Sequence, residues 1–351
     1  MSFKGNVVRI LRIYQKIPPS MGGMEKHIAN LTKEQKKAGF QVDVYFVKGD
    51  KLGVNDIQFG MLPYTKIKPQ ALSNFLFYIN ISLFCFFNKK KYDVIHIHGD
   101  WSSFVFSKLL KLIVSSQGVI GSFHGKISPT KFRWFKFAYK QPDTIYVTGK
   151  SEEAFLNHHL SNTVSWIHSG VNCAFYKKNQ SEKYIDVLTV ANCLPVKNID
   201  LLLDVAKSLP DKNFVHIGGG SWKEYSKKAK ALSVNNIEFR GALGVNEVAL
   251  AMSCAKSFLL TSFEEGTPTV ILEALVSHCY VVTTNSCDLS GIINEQNGYV
   301  SSCFDVAEIS EALSNFLNSG YLDLSYDYSI YSWSEVAKKV NRLSLNLIRK
   351  G

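Results

Sequence analysis

Residues 257–276 read S-F-L-L-T-S-F-E-E-G-T-P-T-V-I-L-E-A-L-V. The pattern predicts a strand at 257–261, a loop, and then a helix with Thr267 as its N-cap and Pro268 as its first residue. The free backbone N–H groups at the start of such a helix suit an anion such as phosphate. The helix is apolar except for Glu273, so we expect it to be buried nearly all round. Because an unpaired buried carboxylate is costly, Glu273 must have a partner.

The same strand–loop–helix pattern recurs along the whole chain, and its rhythm restarts after Gly170. Two series of βαβ units predict an α/β fold with two doubly wound parallel sheets. We predict an N-terminal domain at 1–170, a C-terminal domain at 171–330, and a final helix within 331–351 that either caps the second sheet or crosses back to the first. The predicted strands are 7–13, 42–47, 94–97, 119–123, 144–147, 187–191, 214–217, 237–239, 257–261 and 280–283, and the predicted helices are 24–38, 200–209, 222–233, 245–254, 268–276, 305–318 and 334–349.

The composition is that of an ordinary globular protein. The 351 residues are 46% apolar and 20% charged, which fits about two domains. The seven cysteines form no C-x-x-C pair, which favours reduced, packed thiols in a cytosolic protein. The N-terminus lacks the apolar block of a signal peptide, and the longest apolar stretch, Phe75 to Phe87, is too short to span a bilayer. We expect a soluble chain that at most lies on a membrane.

The charge is unevenly distributed. Residues 1–180 carry 25 Lys and Arg against 10 Asp and Glu, whereas residues 181–351 carry 15 against 19. This asymmetry indicates that the N-terminal half meets an anionic partner. Nucleic acid is not expected, because no recognised binding module is present. Cations mixed with aromatic rings are typical of membrane-surface segments, although a solvated basic surface would also explain them: Lys89–Lys91, Lys131, Arg133, Trp134 and Lys136.

Candidate site residues follow predicted strands, because open α/β sheets bind ligands beyond the carboxyl ends of their strands. Gly22 and Gly23 precede a helix, where they could form an anion-binding turn or a plain tight turn. His98 ends a strand near Asp100, but too few potential ligands lie at useful spacing, so no metal is expected. His124 follows the next strand and could hydrogen-bond a sugar hydroxyl or a developing charge, or serve only the fold.

The C-terminal half repeats this arrangement. Lys197 precedes a predicted helix whose dipole it opposes, which makes sense if an anion lies between them or if the lysine is solvated. Gly218–Gly220 follow a strand and permit either close approach of a ligand or a sharp turn. Glu265 lies in the loop before the apolar helix. Glu273 could accept hydrogen bonds from a vicinal diol such as the ribose 2′ and 3′ hydroxyls, or it could pair with a structural Lys or Arg.

Together these residues resemble the GT-B glycosyltransferases of family four, or group 1. The last of the matching motifs is the family's E-x7-E signature and is the specific one. The resemblance implies two Rossmann-like domains facing each other across a cleft, with a nucleotide-sugar held chiefly by the C-terminal domain. The motifs occur in order as P-P-S-M-G-G-M-E-K-H at 18–27, D-V-I-H-I-H-G at 93–99, F-H-G at 123–125, W-I-H-S-G-V-N at 166–172, K-N at 197–198, G-G-G at 218–220 and E-G-T-P-T-V-I-L-E at 265–273.

The resemblance also implies roles for individual residues. Glu265 would contact the donor sugar, Glu273 the ribose, and Lys197 the diphosphate. His124 would contact the sugar near the reacting carbon. Gly23 and the amides of Thr269 and Val270 would face the diphosphate. His98 would lie on the acceptor side with the basic segment around Trp134. The implied donor-binding positions are Gly22, Gly23, Asn192, Gly218, Gly220, Gly266, Thr267, Thr269, Val270 and Glu273.

Two positions depart from the family pattern. The family usually has Gly-Arg where this chain has Ala191-Asn192, and that arginine would join the lysine on the diphosphate. Lys197 would therefore carry more of the leaving-group stabilisation, with help from Arg240 or from a basic residue of the N-terminal domain. The turn after the signature helix has His278 where the family usually has glycine. Both departures bear on donor affinity more than on the class of reaction.

The resemblance implies a retaining transfer without a divalent metal or other cofactor. A hexose or N-acetylhexosamine would pass from a nucleotide-sugar, with a UDP-sugar favoured, to a lipid-linked oligosaccharide, a lipopolysaccharide or a capsule or O-antigen precursor. The enzyme would be cytoplasmic and peripheral on the inner face of the plasma membrane. Two alternatives are a non-catalytic sugar-nucleotide or polysaccharide-binding protein on the same scaffold and a nucleotide-sugar epimerase. A two-carboxylate glycosidase is disfavoured, since neither glutamate need be a nucleophile.

Overall fold

The computed structural model describes residues 7–20, 23–60, 64–177, 182–265, 268–286, 289, 291–319 and 327–350. The chain divides into two compact units, one made of residues 1–169 and 333–351 and the other of residues 170–332. Each unit is built on its own parallel sheet. The predicted α/β fold with two doubly wound sheets is therefore confirmed.

The sheet of the first unit has seven parallel strands among the described residues. They are β1 (Arg9–Ile13), β2 (Gln41–Phe46), β3 (Ile57–Gln58), β4 (Val94–His98), β5 (Gly118–Phe123), β6 (Thr144–Val147) and β7 (Thr163–Trp166). Their order across the sheet is β3-β2-β1-β4-β5-β6-β7, so the order reverses between β1 and β4. β4 and β6 are buried along their whole length, as expected when helices cover both faces of a parallel sheet.

Helices pack on both faces of this sheet. They are α1 (Gly23–Lys37), α2 (Gln70–Phe87), α3 (Trp101–Phe104), α4 (Ser107–Ile113), α5 (Pro129–Tyr139) and α6 (Lys150–His159), with a 3-10 turn at Tyr64–Lys66. Alternate residues of a strand point to opposite faces. Leu11 of β1 accordingly joins the core that contains Phe77 of α2, whereas Ile10 joins the core that contains Ile28 of α1.

The second unit has six parallel strands among its described residues, in the order β10-β9-β8-β11-β12-β13. The strands are β8 (Ile185–Val190), β9 (Phe214–Ile217), β10 (Ile237–Phe239), β11 (Ala255–Leu260), β12 (Tyr280–Thr284) and β13 (Gly298–Ser301). The order reverses between β8 and β11. The helices are α7 (Cys173–Lys177), α8 (Ile199–Ser208), α9 (Trp222–Ala231), α10 (Val245–Ser253), α11 (Thr269–Val276) and α12 (Val306–Ser319), with 3-10 turns at Pro195–Lys197 and Tyr328–Tyr331.

The last helix, α13 (Trp333–Lys350), completes the first unit. Its residues Val336 and Val340 are buried in the same core as Leu31 of α1. The Gln35 side-chain amide also donates a hydrogen bond to Asn341 Oδ1 at 2.6 Å. The chain therefore returns to the first unit after the second sheet is finished.

The predicted elements lie within two residues of the observed bounds, but several elements were not predicted. α2 is the most important of these, because its apolar residues occur on every side and hide the helical period. The helix begins at Gln70 and has 18 residues, so it is longer than the apolar stretch from Phe75 to Phe87 on which the expectation about a bilayer rested. Among the described residues α2 is the one helix long and apolar enough to cross a membrane, and 33% of it is buried within the unit.

The six cysteines in the described part of the chain are free thiols. Cys303 is exposed, which corrects the expectation that all the cysteines are packed, and Cys287 lies outside the described residues.

Candidate active site

Lys197 and Glu265 form an ion pair at the carboxyl edge of the second sheet, between Nζ and Oε1. Ser262 donates a further hydrogen bond to the same Glu265 oxygen, with its Oγ 2.6 Å away. Both side chains of the ion pair are mostly buried, so their attraction is less screened than that of a surface pair. Lys197 follows β8 and Glu265 follows β11, the two strands between which the strand order reverses. Open α/β sheets bind their ligands at this position.

Backbone contacts hold the two charged residues in place. Thr261 Oγ1 donates to the carbonyl oxygen of Lys197 at 2.9 Å. The backbone N–H of Glu265 donates to the carbonyl oxygen of Ser286 at 3.0 Å. The loop that carries Glu265 is thus tied to the turn that carries Lys197 and to the chain after β12. The charged groups are therefore preorganised by the fold.

Lys197 directly precedes the N-cap of α8, near the start of a helix as the sequence predicted. It ends the 3-10 turn, and Asn198 is the N-cap of α8 with a φ of 48°. The Asn198 side-chain oxygen accepts a hydrogen bond from the Leu201 N–H at 3.4 Å. The anion that Lys197 contacts is the carboxylate of Glu265.

Asn192, which stands where the family has arginine, links two loops of the second unit. Its Oδ1 accepts a hydrogen bond from the backbone N–H of Gly219 at 3.0 Å. A Cβ added to Gly218 would lie 1.8 Å from the carbonyl oxygen of Ala191, and Gly220 has a φ of +75°. Close packing of these loops is therefore enough to require glycine at both positions. Donor binding by Asn192, Gly218 and Gly220 stays a prediction.

Arg240 forms an ion pair with a carboxylate of the neighbouring strand residue. Its Nη2 atom lies 2.8 Å from Oε2 of Glu238, the middle residue of β10. The expectation that Arg240 helps Lys197 at the diphosphate stays a prediction.

The turn after α11 accommodates His278 in place of glycine. His278 has a φ of 56°, a left-handed backbone conformation that residues other than glycine adopt at some cost in free energy. Lys183 Nζ donates to the carbonyl oxygens of His278 at 3.0 Å and of Ser277 at 3.3 Å. A cation at this end of the helix also interacts favourably with the helix dipole. The contacts of Lys183 therefore offset the cost of having histidine rather than glycine at position 278.

The helix that carries Glu273 begins one residue later than predicted. α11 begins at Thr269, and Pro268 is its N-cap rather than its first residue. Thr269 and Val270 form the first turn and are half-buried, which leaves their amides at a helix N-terminus as expected. The predicted N-cap Thr267 and the predicted donor contact Gly266 lie outside the described residues.

Glu273 is half-buried, and the hydroxyl of Tyr176 donates a hydrogen bond to its carboxylate. Tyr176 lies on α7 and is itself buried. Burial and the nearby carboxylate raise the pKa of Tyr176, so the phenol keeps its proton and acts as a donor. The hydroxyl of Tyr176 is thus one partner of Glu273. A structural Lys or Arg partner and a ribose diol, the alternatives that the sequence left open, both stay predictions.

The first unit has a cavity of about 310 Å³ beyond the carboxyl ends of β4 and β5. His98 and His124 both line it, which brings together two of the predicted site residues. The Nε2 atoms of both rings are buried, and among the described residues neither has a hydrogen-bond partner. An unsatisfied buried polar atom is uncommon in a folded protein, and His27 Nδ1 and His96 Nε2 of the same region share this property.

Side-chain amides line another wall of this cavity. Gln15 Nε2 donates to Ser73 Oγ at 2.9 Å and to Asn74 Oδ1 at 2.8 Å. Asn74 in turn donates to Ser102 Oγ at 2.7 Å. Amides both donate and accept hydrogen bonds, as do the hydroxyls of a saccharide. The cavity therefore has the chemistry of a site for a ligand rich in hydroxyls.

The histidines around the cavity form a buried cluster in which His27 packs against His124 and His96 stacks on His98. Burial lowers the pKa of His124 to about 3 and keeps the pKa values of the other three well below the usual range. The fully buried Arg12 contacts His96 and further disfavours a second positive charge. All four imidazoles are neutral at physiological pH. Within the described part of the chain no group of three or more His, Cys, Asp or Glu is arranged to hold a metal.

The remaining predicted residues of the first unit lie at its surface or at the start of α1. A Cβ added to Gly23 would meet no atom within 4 Å, so space is open beside this residue, while Gly22 lies outside the described residues. The basic and aromatic segment forms α5, where the Trp134 ring is 75% exposed. None of its four predicted residues lines the cavity described above: Lys131, Arg133, Trp134 and Lys136.

Comparison with known proteins assigns the family. Residues 174–333 match the family model of the glycosyl transferases group 1, and residues 21–175 match that of glycosyltransferase family 4. The chain is a group 1 glycosyltransferase. Together the two matches span residues 21–333, which include nearly all of the motifs. The resemblance inferred from the motifs is therefore confirmed.

The relatives agree with this assignment. The chain is 27% identical over 311 residues to the uncharacterized glycosyltransferase MJ1178 of Methanocaldococcus jannaschii, and the match covers 86% of each protein. Its fold is similar to that of sucrose-phosphate synthase from Thermosynechococcus elongatus, with a TM-score of 0.77, 17% identity, and 98% and 100% of the two chains covered. Anabaena HepE, solved with UDP and glucose, has a TM-score of 0.75 at 14% identity, with 97% and 100% covered. The chain therefore has the GT-B fold.

Sequence reasoning missed several residues of this glycosyltransferase that the structure places at the candidate sites. Tyr176 and Gln15 belong to no charged motif and follow no recognisable spacing, so the sequence does not single them out. Arg12 is a basic residue inside an otherwise apolar strand. That contrast is the one signal that could have identified a buried polar cluster, since a buried arginine requires partners.

The histidine cluster should make the first unit sensitive to acid. The folded chain keeps these imidazoles neutral, whereas the unfolded chain protonates them below about pH 6.5. The free energy of unfolding is therefore not reduced by these histidines above that pH. Below it, the free energy of unfolding falls by about 1.4 kcal/mol per pH unit for each histidine. Between pH 7.5 and pH 5 the melting temperature of the His96→Gln variant should decrease less than that of the parent chain. His158→Gln, at an exposed position, is the control, and an equal loss in all three proteins would contradict the prediction.

The Tyr176→Phe substitution should destabilise the second unit. It removes a hydrogen bond to a charged, half-buried group, which typically costs about 1.5–3 kcal/mol. Urea denaturation should show this loss, and combining the change with Glu273→Gln should give much less than the sum of the two effects. Tyr225→Phe, in the same unit, should change the free energy of unfolding little. Additive effects of Tyr176→Phe and Glu273→Gln would show that the two side chains do not interact.

Proposed function

We propose that this chain is a retaining glycosyltransferase that transfers a hexose or N-acetylhexosamine from a nucleotide-sugar to a lipid-linked oligosaccharide, a lipopolysaccharide, or a capsule or O-antigen precursor. The observation that carries the proposal is the contact of Lys197 with Glu265 where the strand order of the second sheet reverses. A UDP-sugar is the donor to test first, because the fold relative HepE was solved with UDP and glucose.

The proposed chemistry uses charge already placed by the fold. The acceptor hydroxyl oxygen forms a bond to the anomeric carbon on the face from which the nucleoside diphosphate departs. The bond from that carbon to the phosphate oxygen breaks, and the acceptor proton passes to a phosphate oxygen of the leaving group. Lys197 and the amides of Thr269 and Val270 stabilise the charge that develops on the diphosphate. Such preorganised electrostatic stabilisation often contributes more to the rate enhancement than any other effect.

The two glutamates serve recognition in this proposal. Glu265 exchanges part of its contact with Lys197 and Ser262 for hydroxyls of the donor sugar. The carboxylate oxygens of Glu273 accept hydrogen bonds from the ribose diol, because an ionised carboxylate is an acceptor with several lone pairs. Neither carboxylate has to form a covalent bond to the sugar.

The first unit is proposed to receive the acceptor in the cavity lined by amides and histidines. His124 would act there as a neutral hydrogen-bonding group near the reacting carbon, because burial keeps its pKa near 3. Excess positive charge in this half of the chain favours an acceptor that is anionic or held at an anionic membrane. We therefore propose a cytoplasmic enzyme on the inner face of the plasma membrane.

Lys197→Ala and Glu265→Ala should each reduce turnover by about 10²–10³-fold, because each removes a preorganised charge from the site. The test is initial rates with a panel of UDP-, GDP- and ADP-sugars, preceded by a thermal-shift screen that identifies the donor. Lys256→Ala is the matched control, since Lys256 forms an ion pair with Asp186 in the same unit away from the proposed site.

The outcomes of that experiment separate the competing functions. Rates like those of the parent chain in both site variants would overturn the assignment of the site. Donor binding without turnover on any acceptor would indicate a sugar-nucleotide-binding protein. Conversion of a single donor without an acceptor, followed by NMR, would indicate an epimerase. Retention of the anomeric configuration in the product would be read from the same spectra.

Turnover should not depend on a divalent metal. In the proposed site Lys197 and helix amides stabilise the diphosphate, a task that a metal ion performs in other transferases. Dialysis against EDTA should therefore leave the rate unchanged, and added Mg²⁺ or Mn²⁺ should not raise it. A loss of activity that Mn²⁺ restores would show that a metal takes part.

A further inference from the structure

The helix α2 exposes an apolar side, where a surface helix normally exposes polar residues. After its first residue, Gln70, six of its residues are exposed, and every one of the six is a large apolar residue: Leu72, Phe75, Ile79, Leu83, Phe86 and Phe87. They recur mostly at intervals of three or four, so they form one continuous stripe on the outer side of the helix. The 18 residues of the helix include no charged side chain. A contiguous apolar surface of this kind on a soluble protein marks a binding surface.

The inner side of α2 carries two serines among its core residues. Ser73 and Ser82 are buried, and their hydroxyls donate to backbone carbonyl oxygens of Tyr64 at 2.5 Å and of Tyr78 at 2.8 Å. These polar groups are satisfied inside the unit, so they do not require water. Both sides of the helix can therefore lie in surroundings without water. The inner residues pack in the first unit and keep the helix part of the fold.

Positive charge surrounds the stripe. Residues 57–92 contain five lysines and no Asp or Glu. Two of the lysines precede α2 and three follow it, so cations lie beyond both ends of the apolar stripe: Lys66, Lys68, Lys89, Lys90 and Lys91. On the helix α4, Leu109 and Leu112 are exposed beside the exposed Lys108. An apolar stripe flanked by lysines is complementary to a bilayer with anionic headgroups.

We infer that α2 is the membrane-docking element of this protein and that it lies in the plane of an anionic lipid surface with its six exposed apolar side chains among the acyl chains. A membrane-spanning arrangement is inconsistent with the fold, because the helix supplies Phe77 and Ile81 to the core of the first unit. The lysines before and after the helix contact the lipid phosphates.

The same helix forms a wall of the cavity that holds His98 and His124. Gln70, Asn74 and Tyr78 of α2 line that cavity. Docking of α2 therefore places the cavity next to the headgroup region, where a saccharide carried on a lipid would be found. This consequence rests on the proposed function, whereas the docking itself does not.

Vesicle flotation of the full chain tests the inference. Vesicles of phosphatidylcholine with phosphatidylglycerol should bind the protein at low salt, and vesicles of phosphatidylcholine alone should bind it weakly. The triple variant Leu83→Gln, Phe86→Gln and Phe87→Gln should bind at least about tenfold more weakly, since it removes apolar area from the stripe. These positions are 52%, 62% and 74% exposed, so the fold should survive, which circular dichroism checks.

Two controls separate apolar insertion from general stickiness and from charge. Val54→Gln changes a residue that is 95% exposed elsewhere in the first unit and should leave vesicle binding unchanged. Changing Lys89, Lys90 and Lys91 together to Glu should abolish the preference for phosphatidylglycerol. High salt should weaken binding of the parent chain in the same way.

Three results would overturn the inference. They are failure of the parent chain to bind anionic vesicles at low salt, binding by the glutamine triple variant equal to that of the parent, and a parent dimer that the triple variant converts to a monomer without any vesicle binding. The last result would show that the stripe meets a second copy of the chain. No nucleotide-sugar is used, so failure here is distinguishable from failure of the glycosyltransferase proposal.

Discussion

The positions of the candidate site residues follow from one constraint, the reversal of strand order in each parallel sheet. Parallel strands need crossover helices, and when the crossovers leave in opposite directions from neighbouring strands they open a gap at the carboxyl edge. In the second unit that gap lies between β8 and β11, which are followed by Lys197 and Glu265. In the first unit it lies between β1 and β4, where Gly23 begins the helix after β1 and His98 ends β4. Residues far apart in sequence thus meet at one edge.

The charge of Glu265 is balanced within the candidate site. Glu265 meets an ammonium group, so the Lys197–Glu265 pair is neutral as a unit. An anionic ligand would therefore have to share Lys197 with Glu265. This balance is why the absence of the family arginine matters, because Asn192 brings no second cation to offset the incoming charge.

The fold could be predicted from the sequence because its determinants are local. β-branched runs, helix periods and turn residues repeat often enough to define two sheets, and the predicted elements lie within two residues of their observed bounds. The charged residues of the site could be predicted because they belong to a specific motif. Tyr176 could not be, since its role depends on α7 packing beside α11, a contact between residues about a hundred positions apart that no local pattern records.

α2 was missed for a different physical reason. Helix detection depends on a contrast between an apolar inner face and a polar outer face, and in α2 this contrast is absent because both faces are largely apolar. The residues that look like a core stripe, such as Phe75 and Leu83, face outward, while Ser73 and Ser82 face inward. A helix of this kind contributes its inner side to the stability of the unit, but exposing its outer side to water opposes solubility. Folding alone therefore does not explain why the outer side of α2 is apolar, whereas docking on a lipid surface does.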